Sequence, residues 1–577
     1  MRNATVLLLA GFTTLLSASV NAGSATWSLT PGTNLWNDAQ NWTPATVPNS
    51  TTDVATFGTS ETTSVIVGLA RDFGGAENKI DSIVFTPNAS TYTLTSTASL
   101  PGIYYSDLLE FYGVGIVNES AKTQNFVTEA AAGPEDEQAA SIWFLGSASA
   151  GENVTITNQG SRSNLGQNGP YGGWTRFGLD FTDTPSAGSA TFINEGGKVS
   201  GTIYGGTTDL YAYATADAAT FINNAATVTG AEGGWTELDI GICEGATFVA
   251  NGASSAGPQG GQVYTYGGAG YASFTAKGGQ GNGAQGGLIA INNLPDSNQT
   301  VVTAESGSNG GLGGMITINV TPSSLDQVQF QLLGNGTMDL SGLLQNAVTI
   351  GLLSGQGTVL LGGFMLTIGS NNFDTTFSGV IQDSGAITKT GTGTLTLTGA
   401  NSYSRGTTVS AGTLLVSNKS GSGTGTGAVK VDAGTLAGSG IISGKTTIGT
   451  GSGTGASLAP AGGSKTQATL TIQNSLTFNS DATYTYTFKA KKNKAKTDKV
   501  VANGVTINGA TLNLVGQTQG SLKRGLRLTL ISNTSANPIS GTFSNLPDGG
   551  IVTINGNNFQ ASYEGGDGND LTLTVVP

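Results

Sequence analysis

A chain of 577 residues with no histidine and one cysteine lacks the parts for His-dependent Ser or Cys triads, for the usual His-bearing zinc sites and for an intrachain disulfide framework. Its 23 basic and 36 acidic residues give a net charge of −13, with 10% charged and 37% hydrophobic residues, a balance that fits neither a disordered chain nor a nucleic-acid binder. Glycine, at 90 residues, is about twice its ordinary share but lacks collagen's triplet period, so an all-β protein with a Ser/Thr/Asn surface is expected.

Met1–Ala22 begins with Arg2, runs through Val6-Leu7-Leu8-Leu9-Ala10 and Leu15-Leu16, and ends on small residues. That is the layout of a secretory signal peptide (residues 1–22) cleaved after Ala22. Threonines, serines and Gly11 keep it short of the ~20 apolar residues of a membrane anchor. No other run reaches that length, so a soluble, exported protein without a membrane span is expected. Residues 23–58 concentrate Trp27, Trp36 and Trp42, half of the six tryptophans. A solenoid must cover its first coil, because an open end exposes core and unpaired strand edges. The three indoles read as that N-terminal cap, with carbohydrate stacking as the alternative.

Residues 59–464 read as a parallel β-helix. Between Gly172 and Asn293, glycine pairs recur at Gly172-Gly173, Gly205-Gly206, Gly233-Gly234 and Gly260-Gly261, spaced by 33, 28 and 27 residues. A second marker, Phe192, Phe221, Phe248 and Phe274, recurs at 29, 27 and 26. Two independent markers with one drifting period are the signature of a coiled solenoid with variable corners. Period-two alternation predicts that Phe177, Leu179 and Phe181, then Leu210, Ala212 and Ala214, then Leu238, Ile240 and Ile242 point inward. Arg176, Asp209 and Glu237 should align on the outside. At ~4.8 Å and about 25 residues per coil, the body from Thr51 to Asn479 would hold roughly 17 coils over about 80 Å.

Met315–Leu344 continues the stack. In Gly385–Asn418, Thr394-Leu395-Thr396-Leu397-Thr398 alternates cleanly, and Gly391, Gly393, Gly399, Gly406 and Gly412 mark corners, so three or so short strands are expected. The succession Lys389-Thr390-Gly391-Thr392-Gly393-Thr394-Leu395, Thr398-Gly399-Ala400-Asn401-Ser402-Tyr403, Gly406-Thr407-Thr408-Val409 and Ala411-Gly412-Thr413-Leu414 resembles the autotransporter-associated β-strand repeat. The resemblance implies an extracellular bacterial β-solenoid, the passenger part of an autotransporter-type surface protein without its C-terminal membrane barrel. The route of export beyond the signal-peptide step stays open. The tryptophan-rich opening and the Gly541–Leu571 tail likewise resemble the end segments of secreted repeat proteins. Ser420–Gly427 reads as a flexible Gly/Ser/Thr corner and Gly449–Ser464 as an irregular insertion. From residue 465 longer alternating strands, such as Tyr484–Phe488 and Leu526–Leu530, predict an antiparallel or mixed β cap over 465–577.

Candidate sites are few. Gly565-Gly566-Asp567-Gly568-Asn569-Asp570 imitates one calcium nonapeptide, but neighbouring turns must share each ion; a Gly-rich turn is expected, with no metal and no cofactor. Lys489, Lys491, Lys492, Lys494, Lys496 and Lys499 fall within eleven residues. They could hold an anionic cell-wall polymer or lipid headgroup, or simply form a solvated hairpin tip; no aromatic interleaves them, which argues against single-stranded nucleic acid. For glycoside hydrolysis, which needs two carboxyl groups ~5–9.5 Å apart, Asp180, Asp183, Asp209 and Asp239 are the best acids. Arg162 and Arg176 are the nearest bases for a lyase, and Asp180, Asp239 and Arg176 make up the catalytic alternative. Asn194 and Asn223, each following its phenylalanine, read as a structural amide ladder, and Cys243 as an inert thiol. The first reading is a secreted, non-catalytic β-solenoid acting in adhesion or surface structure through weak multivalent contacts with glycans. The alternative is a polysaccharide-degrading β-helix enzyme, a lyase or glycoside hydrolase.

Overall fold

The computed structural model describes residues 23–68, 77–98, 108–131, 139–162, 172–201, 204–239, 241–294, 297, 299–319, 325–462 and 466–577. Met1–Ala22 and Ile240 lie outside them. Apart from a single 3-10 turn at Ala39–Asn41, the described residues form strands and turns. Each coil lays short strands on three faces, and every face grows by parallel pairing with the next coil. On the first, Trp174–Phe177 pairs with Thr207–Leu210, which pairs with Trp235–Leu238 and then Gln262–Thr265. On the second, Thr191–Asn194, Thr220–Asn223, Ile242–Ala250 and Ala269–Ala276 follow one another. The third is little more than single bridges at Ser186, Thr215 and Ile242 until Ala347–Gly355, after which it is a regular ladder to Ser540–Thr542.

The register matches both sequence markers. Phe192 sits opposite Phe221, Phe221 opposite Phe248, and Phe248 opposite Phe274. Their rings stack at 4.9, 4.8 and 4.8 Å with interplanar angles of 11°, 6° and 7°. On the second face sixteen described strands run from Ser64–Val67 to Ala456–Leu458, about 70 Å at ~4.8 Å per step.

The glycine pairs are needed for close approach. A Cβ on Gly172 would lie 2.2 Å from the Gly205 carbonyl oxygen, one on Gly205 would lie 2.3 Å from that of Gly233, and one on Gly233 2.1 Å from that of Gly260. Corner backbones of successive coils touch there, and a side chain would force them apart. Beneath this corner runs the amide ladder. Asn158 Nδ2 donates to Asn194 Oδ1 at 2.7 Å, and Asn194 Nδ2 donates to Asn223 Oδ1 at 2.8 Å. Thr175, Thr208 and Thr236 donate in turn to the Oδ1 atoms of Asn158, Asn194 and Asn223. The ladder ends where Ala250 replaces asparagine opposite Asn223, leaving the Asn223 Nδ2 group buried without a partner.

The expected inward alternation stops at the corners. Phe177, Leu210 and Leu238 are fully buried, as are Ala212 and Ala214, but Leu179, Phe181 and Ile242 are exposed. The strand ends at Phe177, and Gly178 turns the chain at φ 79°, so the period-two parity is lost beyond it.

Gly385–Asn418 contains four strands, Ala386–Lys389, Thr394–Leu397, Gly406–Val409 and Thr413–Val416. Gly391, Gly406 and Gly412 do take positive φ, whereas Gly393 and Gly399 are required by approach: a Cβ on Gly399 would sit 1.8 Å from the Gly379 carbonyl oxygen. The first face has no regular strand here. Asn401 substitutes for one, its Oδ1 accepting from the Ile381 amide and its Nδ2 donating to the Gly423 carbonyl. Ser420–Gly427 is correspondingly locked rather than loose, since Ser422 and Thr424 are buried and Ser422 bridges to Asn401.

Both ends are covered. Trp27, Trp36 and Trp42 are buried, pack on one another and on Phe57, and donate their indole N–H groups to the Thr62, Pro48 and Trp36 carbonyls. Trp42–Thr43 also folds antiparallel onto the edge strand Ala25–Trp27. Their burial leaves no indole face open for a sugar to stack on. At the C-terminal end parallel pairing gives way to antiparallel pairing of Arg527–Asn533, Asp570–Val576, Asn557–Gly565 and Ile551–Ile554. Gly565–Asp570 is the turn between two of these strands, and the Asp570 carboxylate is engaged by the Asn533 amide.

Candidate functional site

Strands of four residues with inward side chains at their second and fourth positions turn the first and third away from the core. On the first face the third positions form one outward row across successive coils, Lys79, Glu110, Trp143, Arg176, Asp209, Glu237 and Tyr264. The first positions beside it read Ser141, Trp174, Thr207, Trp235 and Gln262. Two indoles therefore flank a threonine, and a cavity of about 540 Å³ opens among Trp143, Trp174, Tyr204, Asp209, Trp235 and Glu237. Its walls are braced edge to face: Trp143 and Trp174 meet at 5.7 Å, and Tyr204 meets Trp235 at 5.7 Å. The Arg176 guanidinium lies 5.4 Å from the centre of the Trp174 ring, 5.9 Å from that of Trp143 and 5.0 Å from that of Tyr211.

The polar groups of this cleft are incompletely satisfied. Asp209 Oδ2 accepts from Trp174 Nε1 at 2.9 Å, but its Oδ1 is enclosed without a hydrogen-bond partner, as are the Nε1 groups of Trp143 and Trp235. Burial, aided by Glu237, pushes the Asp209 carboxyl up to about 7. Burial and then Asp239 push Glu237 up as well, against the opposing pull of Arg176. The site thus combines aromatic faces, a fixed cation, and two acids in neighbouring coils of which one is held near neutrality.

Of the acids expected from sequence, the structure brings only Asp209 into this cleft. Asp180 lies in an exposed turn where Thr182 donates to it through both its amide and its hydroxyl, which lowers its proton affinity. Asp183 holds the Gly146 and Leu179 amides. Asp239 ends the strand Trp235–Leu238 and acts on Glu237 only through its charge. Arg162 is exposed and bonds Gln159, while Arg176 belongs to the cleft. The tryptophans were not foreseen, although Trp174 and Trp235 follow their glycine pairs at the same offset.

Lys489, Lys491, Lys494 and Lys496 lie on an antiparallel hairpin of Ala482–Lys491 with Lys494–Thr497, tipped by Lys492. Cys243 is buried, and burial, then the nearby Asp217, pushes its thiol up to about 12. No helix among the described residues is long and apolar enough to cross a membrane.

Residues 387–416 match the family profile of the passenger-associated transport repeat. In this stretch the chain is passenger-like. The matched thirty residues cover the four strands and the Asn401 bridge described above, about one and a half coils. No curated protein gives a significant match. The crystal structure of the Haemophilus influenzae Hap adhesin is similar at 12% identity and a TM-score of 0.25, over 91% of this chain and 64% of that one, so this chain spans slightly less than two thirds of its length. The all-β, parallel solenoid architecture stands on the strand pairing itself.

Proposed function

We propose that the chain is an exported, passenger-like surface protein that adheres through glycans, with the cleft between Trp174 and Trp235 as its principal contact. The single observation behind this reading is the slot itself: two outward indoles about two strand spacings apart, roughly 10 Å, over a floor of partnerless polar atoms. Aromatic faces suit the C–H surfaces of a sugar ring. The Asp209 Oδ1 atom and the Trp143 and Trp235 N–H groups supply an acceptor and two donors for its hydroxyls. Export is assigned to Met1–Ala22, and the organisation we propose is a cap over residues 23–58, a β-helix over 59–464 and a terminal β cap over 465–577. Glycan-array binding and retention on whole cells test the reading. Wild-type protein should be retained and Trp174→Ala/Trp235→Ala should lose most of that retention; if the wild type binds neither array nor cells, adhesion through this cleft fails and a scaffold role is left.

One observation favours a second reading. Asp209 and Glu237 lie side by side on adjacent coils, about 4.8 Å apart at the backbone, and burial pushes the Asp209 carboxyl up to about 7. That is the pairing a retaining glycosidase uses, with an acid and a second carboxylate ~5–5.5 Å apart. Release of reducing ends from a polysaccharide panel, abolished by Asp209→Asn and by Glu237→Gln, would establish it; absence of any release with the wild type would exclude it.

A further inference from the structure

The hairpin near the C-terminal end carries a second feature, separate from the aromatic cleft. Ala482–Lys491 and Lys494–Thr497 pair so that Lys489 stands opposite Lys496 and Lys491 opposite Lys494. Residues directly opposite in an antiparallel pair share a face, and like charges placed so repel. All four ammonium groups therefore stand on one side of the hairpin. On its other edge, Ala482–Lys491 pairs in parallel with Thr511–Gln519, setting Gln517 beside Lys489 and Gln519 beside Lys491. The result is two rows, Lys496-Lys489-Gln517 and Lys494-Lys491-Gln519, with ~4.8 Å between members and about 7 Å between rows.

These residues line one open groove of about 1180 Å³, together with Lys492, Lys499, Arg527, Thr469 and Thr529. The Lys523 amide bonds the Lys492 carbonyl, which brings Lys523 and Arg524 to the hairpin tip. Nine of the 23 basic residues of an otherwise acidic chain thus meet at one place. Two acids lie nearby. Asp498 is buried and occupied by the Ala468 and Thr487 amides, and Asp570, engaged by the Asn533 amide, acts on Arg527 and Lys499 through its charge alone; neither reaches Lys491, Lys494 or Lys496 with an ion pair among the described residues. Among the described residues Lys491, Lys492, Lys494, Lys496 and Lys499 take part in no ion pair. Two like-charged pairs set directly opposite one another repel and weaken the hairpin, and an anionic partner laid across them would relieve that repulsion.

We propose that this groove binds a linear anionic polysaccharide, one with a carboxylate or sulfate on each repeat. The ordered rows of cations match a periodic polyanion, and the Gln517, Gln519, Thr469 and Thr529 groups offer hydrogen bonds to hydroxyls between the charges. A bilayer surface would call for large apolar residues interleaved with the lysines for insertion, and the hairpin has alanines there, Ala490 and Ala495. Binding releases counterions, so affinity falls steeply with salt.

The test uses the full chain with polygalacturonate and dextran sulfate as probes, against neutral dextran, anionic phosphatidylglycerol vesicles and a single-stranded oligonucleotide. Affinity is read by calorimetry at several salt concentrations. The substitution Lys489→Gln/Lys491→Gln/Lys494→Gln/Lys496→Gln should weaken polyanion binding at least tenfold and flatten the salt dependence, with an unchanged or higher Tm because the repulsive pairs are gone. The matching four Lys→Arg replacements should retain binding, and so should removal of four distant lysines, Lys198, Lys277, Lys419 and Lys445, by the same Lys→Gln change. Equal loss in this distant set would reduce the effect to overall charge and overturn the site. Wild-type affinity in the hairpin variant, or tighter binding to vesicles or oligonucleotide than to the polysaccharides, would overturn it too. Failure of Trp174→Ala/Trp235→Ala to alter neutral-glycan binding would leave this proposal standing, since the two surfaces share no residue.

Discussion

Replacing Asp209 by asparagine should erase a pH dependence that the wild type carries in the first-face strands of the long coils. In the folded chain burial, with Glu237 adding repulsion, pushes the Asp209 carboxyl from 3.8 to about 7. In the unfolded chain it returns to an ordinary value. Below about pH 4 both states hold the proton, and the protonated acid contributes its full share of stability. As pH rises from about 4 to 7 the unfolded state releases the proton first, so the folded state binds more protons and stability falls with pH. A gap of about three pH units at ~1.4 kcal/mol each amounts to about 4 kcal/mol at most. Because each coil depends mainly on its neighbours, the loss is best read locally, by hydrogen exchange of the Thr207–Leu210 amides and by urea midpoints at pH 4, 5.5 and 7. Glu110, Glu232 and Glu237 are also raised by burial, so the decisive quantity is the difference between wild type and Asp209→Asn. That difference should change by a few kcal/mol across the window; parallel profiles would refute the claim that the cleft holds a protonated acid.

Four other substitutions probe the chain. Gly233→Ala should cost about 3 kcal/mol or more, because its Cβ meets the Gly260 carbonyl oxygen at 2.1 Å and backbone cannot yield as a side chain would; Gly32→Ala, with open space around it, should be close to neutral in the same thermal melts. Asn194→Ala removes the acceptor for Asn158 and Thr208 and a donor to Asn223, with an expected loss of about 2–4 kcal/mol in urea titration. Lys389 is buried, donates to the Thr390, Gly391 and Ala411 carbonyls, and is lowered by burial to about 8. Between pH 8 and 10.5 the unfolded state therefore keeps a proton that the folded state has lost. Wild-type stability should rise across that window by up to about 3 kcal/mol, and Lys389→Met should show no such rise in chemical denaturation at pH 7, 8 and 9.5.

The coil register was legible because its markers obey strict local physics. A glycine pair is forced wherever two corner backbones touch, and a phenylalanine stack persists wherever each coil repeats its neighbour, so both recur with the coil even as its length drifts. Arg176, Asp209 and Glu237 fell into line for the same reason. The failures begin at the corners. Leu179 and Phe181 lie past Gly178, whose positive φ takes the chain off the strand's alternation, and Ile242 lies past the end of the strand Trp235–Leu238, so period two does not carry these three inside. The same step misplaced the acids: Asp180 and Asp239 stand beyond the strand, whereas Asp209 and Glu237 stand within it. The cleft could not be read from neighbours in sequence, since Trp174 and Trp235 are brought together by coil steps of 33 and 28 residues.

Coil length separates recognition of the architecture from what the architecture does. Around the passenger-like repeat, Thr394 pairs with Thr413, Thr413 with Thr435 and Thr435 with Ser457, steps of 19, 22 and 22 residues. Coils this short are nearly all strand and corner, so nearly every side chain is fixed by packing or by a turn, and the sequence pattern is plain for that reason. They have little surplus from which to build a pocket. Around Trp174 the longer coils leave residues that the core does not claim, and there the exposed aromatics Phe181, Tyr213 and Tyr266, the partnerless polar atoms and the perturbed acids gather. A variable corner tolerates insertion at little entropic cost while the rigid strands beside it hold each outward side chain in register. Under the proposed glycan-binding reading, specificity is thus expected to change by substitution along the outward rows of the long coils, with the short repeat left as it is.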